Sequence, residues 1–286
     1  MKTIGFIDYF LSEWHANNYP EMIKKSCELS GKDYVVKYAW AEVDVSPYDN
    51  VTTDEWCAKY GVEKCSTIEE LCEKSDYIII LAPDNPEKHL EYALKAFPYA
   101  KNTYVDKTFA PDKETAEKIF DIAEKYGVKM FSTSALRCAS EIQRFNGNAF
   151  SVITQSAGGL FDAYAIHHIE MVVKCMGANA KRVMCLTNSN HMSVKVEFEN
   201  DRNALMIFSK LSGMPFSIDV EMSKDDLNGE YIPITSAFFD NLINDIIELF
   251  ESGKIIATRE ETCSVMAIRQ AVVDAIEKPM QWVEVK

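Results

Sequence analysis

The chain has 286 residues, 47% of them apolar, with Gly and Pro scarce, which is the composition of a globular protein large enough for two domains. Its formal charge of −14 and the lack of a basic stripe exclude nucleic acid as a partner, because phosphate binding needs clustered Lys and Arg. Its longest strongly apolar run, "YIIILA" at 77–82, is too short to cross a bilayer. The eight cysteines are scattered with no C-x-x-C pair, which fits neither a zinc site nor a disulfide framework. No charged-then-apolar leader opens the chain. A reduced cytoplasmic protein without metal or membrane partner is therefore expected.

In chain order, "TIGFIDY" reads as a buried strand and "SEWHANNYPEMIKK" as a helix behind Ser12 as N-cap. "DYVVKYAWAEV" is a second strand. "TTDEWCAKYGV" and "STIEELCEKS" are short helices, each with a hydroxyl cap and acids in the first turn. "DYIIILAP" is a near-continuous apolar strand, as a parallel sheet covered on both faces requires. The helix "NPEKHLEYALKAF", the strand "NTYVDKT", the helix "PDKETAEKIFDIAEKYG" and the strand "VKMFSTSA" follow. This alternation predicts an α/β domain over 1–136 with a doubly wound, Rossmann-like parallel sheet.

After Leu136 the rhythm changes. A strand "FSVITQSAGG" and a helix "LFDAYAIHHIEMVVKCMG" precede four strands joined by short turns, then two long helices and the strand "QWVEV". The spacing predicts an α+β domain over 137–286 on an open, mainly antiparallel sheet. One face of such a sheet needs a cover, so a homodimer or homotetramer is expected.

In open α/β sheets ligands sit beyond the carboxyl ends of the strands, where Ala82, Pro83, Asn85, Asp106 and Lys107 fall. Lys107 is the leading candidate to bind or protonate a substrate oxygen; an ordinary strand-closing lysine is the equal alternative. On the later helix, imidazole suits acid–base work near neutral pH, while one buried and one exposed ring is the plainer account of "HH". Tyr164 lies three residues before His167 and four before His168, within reach of both. Arg137, after "FSTSA", suits a hydroxyl or carboxylate or, equally, a linker salt bridge. Glu42 and Asp44 close the second strand, where an acid accepts ribose hydroxyls and disfavours a 2′-phosphate.

"LAPDNPEKH", "YALKA" and "DKT", followed by "GGLFDAYAIHHIEMVVKCMG", resemble the glucose–fructose oxidoreductase, inositol dehydrogenase and rhizopine-catabolism (Gfo/Idh/MocA) family over nearly the whole chain. The resemblance implies that Lys107 and His167 are catalytic, with His89 matching the family histidine. It implies that Tyr164, His168, Arg137 and Glu170 serve the substrate. The acid the family carries before its histidine falls on Ala163, with Asp162 one position away. Where the family closes a strand with Glu-Lys-Pro, this chain has Asp106-Lys107-Thr108. The implied activity is NAD(P)-dependent transfer of a hydride between a sugar or cyclitol carbon and nicotinamide, with NAD preferred to NADP.

One departure stands against that reading. The first strand–helix turn, "DYFLSEWHA", lacks the glycines that let backbone amides meet a pyrophosphate. Asp8 takes the first glycine position, and Phe10, Leu11 and Glu13 are bulky. Two readings follow. An altered turn admits the dinucleotide through Asp8, Phe10, Leu11, Glu42, Ala82, Pro83, Asn85, His89 and Asp106. Alternatively the fold has lost its cofactor and serves a non-redox enzyme or small-ligand sensor.

Overall fold

A computed structural model describes residues 1–157, 161–187, 191–209, 214–225 and 229–286. The chain forms two compact units: Met1–Thr133 with Asp240–Thr258, and Ser134–Phe239 with Arg259–Lys286.

In the first unit, β1 (Lys2–Asp8), β2 (Tyr34–Ala41), β3 (Glu63–Lys64), β4 (Tyr77–Ile80), β5 (Thr103–Val105) and β6 (Met130–Phe131) form one parallel sheet in the order β3-β2-β1-β4-β5-β6. That is the doubly wound order with the switch between β1 and β4. The helices α1 (Trp14–Ser30), α2 (Thr53–Tyr60), α3 (Ile68–Lys74), α4 (His89–Ala96) and α5 (Lys113–Tyr126) link the strands. Ile4, Phe6, Ile7 and Ile78–Ile80 are fully buried, as strands covered on both faces must be. Gly5 has a specific reason to be glycine: a Cβ there would lie 2.4 Å from Ser75 Oγ and 2.5 Å from Leu71 Cδ2. It lets α3 seat directly on β1.

The later part of the chain holds β7 (Ser151–Ala157), α6 (Phe161–Met176), β8 (Ala180–Thr187), β9 (His191–Phe198), β10 (Asn203–Ser209), β11 (Ser217–Glu221), β12 (Glu230–Pro233), α7 (Phe238–Ser252), α8 (Arg259–Ile276) and β13 (Trp282–Glu284). The seven strands make a sheet in the order β12-β11-β7-β10-β9-β8-β13, antiparallel except for the parallel pair β7 and β10. Val152, Val183, Val194, Val196, Ala204 and Met206 are buried on the face toward α6 and α8. Residues of opposite parity, among them Ile153, Leu205, Met184 and Trp282, are only half-buried.

One domain assignment changes. The sequence reading put both closing helices in the second domain, but from Asp240 onward α7 packs in the first unit. Phe250 stacks on Tyr77 at 4.6 Å, Ser26 donates to Asn244 at 2.6 Å, and Lys2 and Lys32 pair with Glu251 and Glu248. The apolar stripe of α7 predicts burial without naming the surface it is buried against.

Candidate functional site

The carboxyl ends of β1, β2, β4 and β5 gather most of the expected residues of the first unit. The N-cap of α1 is Glu13, not Ser12. The Glu13 carboxylate accepts from the His15 amide at 2.8 Å and from the Ala16 amide, the two donors a helix start leaves unsatisfied. It also meets the His15 ring at 3.1 Å, and Asp106 Oδ2 lies 3.5 Å from the same Nδ1. Burial opposes charge on His15, but the Asp106 and Glu13 carboxylates outweigh it and raise its pKa. Asp8 accepts from the Ala82 and Tyr9 amides through Oδ1, while its buried Oδ2 makes no hydrogen bond. Burial, then the nearby Glu13 charge, pushes the Asp8 carboxyl well above the usual range.

The turn itself is packed shut. Phe10, Leu11, Ser12 and Glu13 are all buried. Ser12 donates to Asp49 at 2.7 Å, Ser46 donates to the Ser12 carbonyl at 2.9 Å, and Phe10 meets Tyr48 edge-on at 5.2 Å. At the end of β2, Glu42 holds Lys88 through one oxygen at 2.5 Å and Tyr92 through the other at 2.8 Å.

The other residues expected to meet a cofactor have these surroundings. Leu11 is core. His89 is fully buried between the carbonyls of Phe109 at 2.9 Å and Leu81 at 2.5 Å, so it ties two strand-end loops together, and burial lowers its pKa. Asp106 turns Oδ1 to Tyr104 and to its own loop at the Lys107 amide. Ala82 and Pro83 are buried, with Ala82 at a φ of 57°. Asn85 remains half-buried and donates to Glu87 at 3.2 Å. Lys107 is also half-buried, 3.9 Å from Asp84, and its peptide bond to Thr108 is cis.

In the second unit, α6 carries the paired histidines. Successive helical positions lie about 100° apart, so one ring faces the sheet and the other does not. His168 faces it: fully buried, it shares hydrogen bonds with Thr154 Oγ1 at Nδ1 and Ser156 Oγ at Nε2, each at 2.8 Å, one donated by the ring and one accepted. Burial pulls its pKa down to about 3, so the ring is neutral near pH 7. His167 is half-buried, its Nδ1 2.6 Å from Ser134 Oγ, with Tyr164 and Phe216 against the ring at 5.8 and 5.9 Å. Arg137 and Glu170 pair at 3.3 Å, both buried, and Arg137 also pairs with Glu261. Together with Glu261 they form a buried ion cluster. Gly158 and Gly159 of the helix-start motif lie outside the described residues, as does the Asp162 side chain.

Sequence reasoning missed Glu13, His15 and Ser134. For Glu13 a signal existed, an acid two and three residues before amides at a helix start; Ser12 drew the assignment because Ser caps more often. Among the described residues, no group of His, Cys, Asp and Glu side chains could hold a metal ion, and no helix is long and apolar enough to cross a membrane. All eight cysteines are buried and none is in a disulfide.

Residues 43–134 match the family model for the Gfo/Idh/MocA oxidoreductases, described as an oxidoreductase family with an NAD-binding Rossmann fold. The match spans about a third of the chain, nearly all of it in the first unit. Solved structures agree in fold. UDP-N-acetylglucosamine 3-dehydrogenase GnnA from Acidithiobacillus ferrooxidans is 12% identical with a TM-score of 0.75, over 98% of this chain and 99% of its own. Apo scyllo-inositol dehydrogenase from Lactobacillus casei is 15% identical at 0.74, over 99% and 98%. GenD2 from gentamicin A biosynthesis, solved in complex with NAD, is 12% identical at 0.74, over 100% and 97%. No curated protein sequence matches the chain.

The matched segment begins after β1, its turn and α1. The turn is where this chain and the cofactor disagree. A pyrophosphate needs free amides at the start of α1 and small residues around them. Here those amides are bonded to Glu13, and the turn is filled. The residues present do not fit a dinucleotide in the family's glycine-turn seat.

Proposed function

We propose that this protein acts on a hydroxyl-bearing small molecule, a sugar or a cyclitol, with His167 as the group that takes up or returns the hydroxyl proton. The observation that carries this reading is the Ser134–His167 contact. A serine hydroxyl can donate to Nδ1 or accept from it, so the ring can keep its proton on either nitrogen and pass one through Nε2. A half-buried imidazole suits general acid–base catalysis near neutral pH; its fully buried neighbour His168 does not. Lys107 is assigned the role of a cation that polarises a substrate oxygen, and Tyr164 that of a contact beside the ring.

The family description supports a redox reading, in which the same carbon exchanges a hydride with the nicotinamide of NAD or NADP. The names of GnnA and scyllo-inositol dehydrogenase support sugars and cyclitols as the substrate class. The filled turn favours the second reading, a non-redox enzyme or small-ligand sensor on this fold. The redox reading and a non-redox enzyme both use the proton transfer assigned to His167; a sensor would use the ring only to bind the ligand.

The test is calorimetric titration of a panel of sugars, nucleotide sugars and cyclitols, followed by turnover assays with and without NAD or NADP. His167→Ala and Lys107→Ala should each abolish turnover and leave the melting temperature near wild type. Full activity in either variant removes that residue's role. We further propose a homo-oligomer built on the outer face of the seven-stranded sheet. A cross-strand row there runs Tyr231, Asp219, Ile153, Leu205, Lys195, Met184, Trp282, apolar at most positions and half-buried or exposed. A monomer by light scattering at micromolar concentration refutes it.

A further inference from the structure

We infer that this chain has closed the family's pyrophosphate seat with its own carboxylates and takes no dinucleotide there. Glu13 supplies from inside the fold the anion that a cofactor would supply from outside. Three independent features converge on this. The His15 and Ala16 amides at the start of α1, where the dipole and unsatisfied donors favour an anion, already bind Glu13. Steric closure is the second feature: Phe10, Leu11 and Ser12 are buried under the segment that carries Ser46, Tyr48 and Asp49.

Charge is the third. Glu13, Asp8 and Asp106 all lie within the small region around His15, with His15 and the Lys107 ammonium as the nearby groups of opposite sign. A diphosphate entering here would displace Glu13 from its amides and then lie against it, with like charges in a region of low dielectric. The second anchor of a dinucleotide is engaged as well, since both oxygens of Glu42 already hold Lys88 and Tyr92. The turn is thus a closed structural element and not a degraded binding loop, because every missing glycine is replaced by a residue with an internal partner or a buried apolar contact.

The experiment uses the full chain. Calorimetric titration with NADH, NADPH and inorganic pyrophosphate, each to about 1 mM, should give no saturable heat; a dissociation constant below that limit for any of the three overturns the inference. Glu13→Ala should lower the melting temperature by about 2 °C or more, since it leaves two amides of α1 without their acceptor. An unchanged melting temperature also overturns the inference. Should Glu13→Ala fail to fold, the wild-type titration decides alone. This outcome is separable from that of the proposed function. Tight NADH binding would end the closed-seat inference and leave the role of His167 standing, whereas inert His167 with no dinucleotide binding would do the reverse.

Discussion

The start of α1 and the stretch of α6 around His167 both carry polar side chains, and they differ in one respect. Around α1, Glu13, His15, Asp8 and Asp106 answer one another or nearby amides, and most of that region is buried. On α6, His167 is held by Ser134 on one nitrogen while the ring stays half-buried. A polar group buried from solvent does structural work; one that reaches the surface is available for chemistry. His167 and His168, adjacent in sequence, divide along that same line.

The comparison can be broken at several points. The largest expected effect is at the Arg137 cluster. Arg137→Met leaves Glu170 and Glu261 without their cation and should cost about 3–5 kcal/mol in denaturant unfolding. A loss below about 1 kcal/mol would mean the cluster is not the internal structure described here.

Next comes pH. The His168 pKa is about 3 in the folded chain and near 6.5 when unfolded, so the unfolded state binds the extra proton between those values. Its contribution is complete above pH about 6.5 and is lost as pH falls toward 3, at up to ~1.4 kcal/mol per unit. His168→Gln should flatten that acid limb in pH-dependent melting; an unchanged limb would return the ring to the candidate site.

Asp8 has the opposite sign. Its folded pKa is raised, so its contribution is present below the unfolded carboxylate value and is lost as pH rises through the folded one. Asp8→Asn keeps an acceptor for the Ala82 and Tyr9 amides and removes the ionisation, so it should raise stability at pH 8 by about 1 kcal/mol. A drop would show that the ionised carboxylate is needed. Smallest of all is the stability effect of His167→Ala, expected within about 0.5 kcal/mol because the ring is only half-buried.

Much of this was legible in the sequence. Continuous apolar runs such as "DYIIILAP" announced the parallel sheet, and alternating runs such as "MSVKVEFEND" the second one, because burial on two faces or one imposes those patterns. The parallel β7–β10 pair was not legible, since periodicity fixes which face a residue takes and not which strand lies beside it. Lys107 and His167 were singled out through the motifs around them. The internal partners of Arg137, Glu170 and His168 were not legible, because a charged or imidazole side chain reads the same whether its partner is a ligand or a distant residue such as Glu261 or Thr154. Glu13 was noticed as too bulky for a glycine position, but its capping role required knowing where α1 begins.

The return of α7 to the first unit has a consequence for synthesis. The chain leaves that unit after Thr133 and rejoins it at Asp240, so a ribosome must extrude the intervening hundred or so residues before the first Rossmann sheet meets its last helix. Until then the ring faces of Tyr34 and Tyr77 that Phe250 later covers stay exposed to water and to chaperones. The N-terminal half of this polypeptide is translated first and finished late.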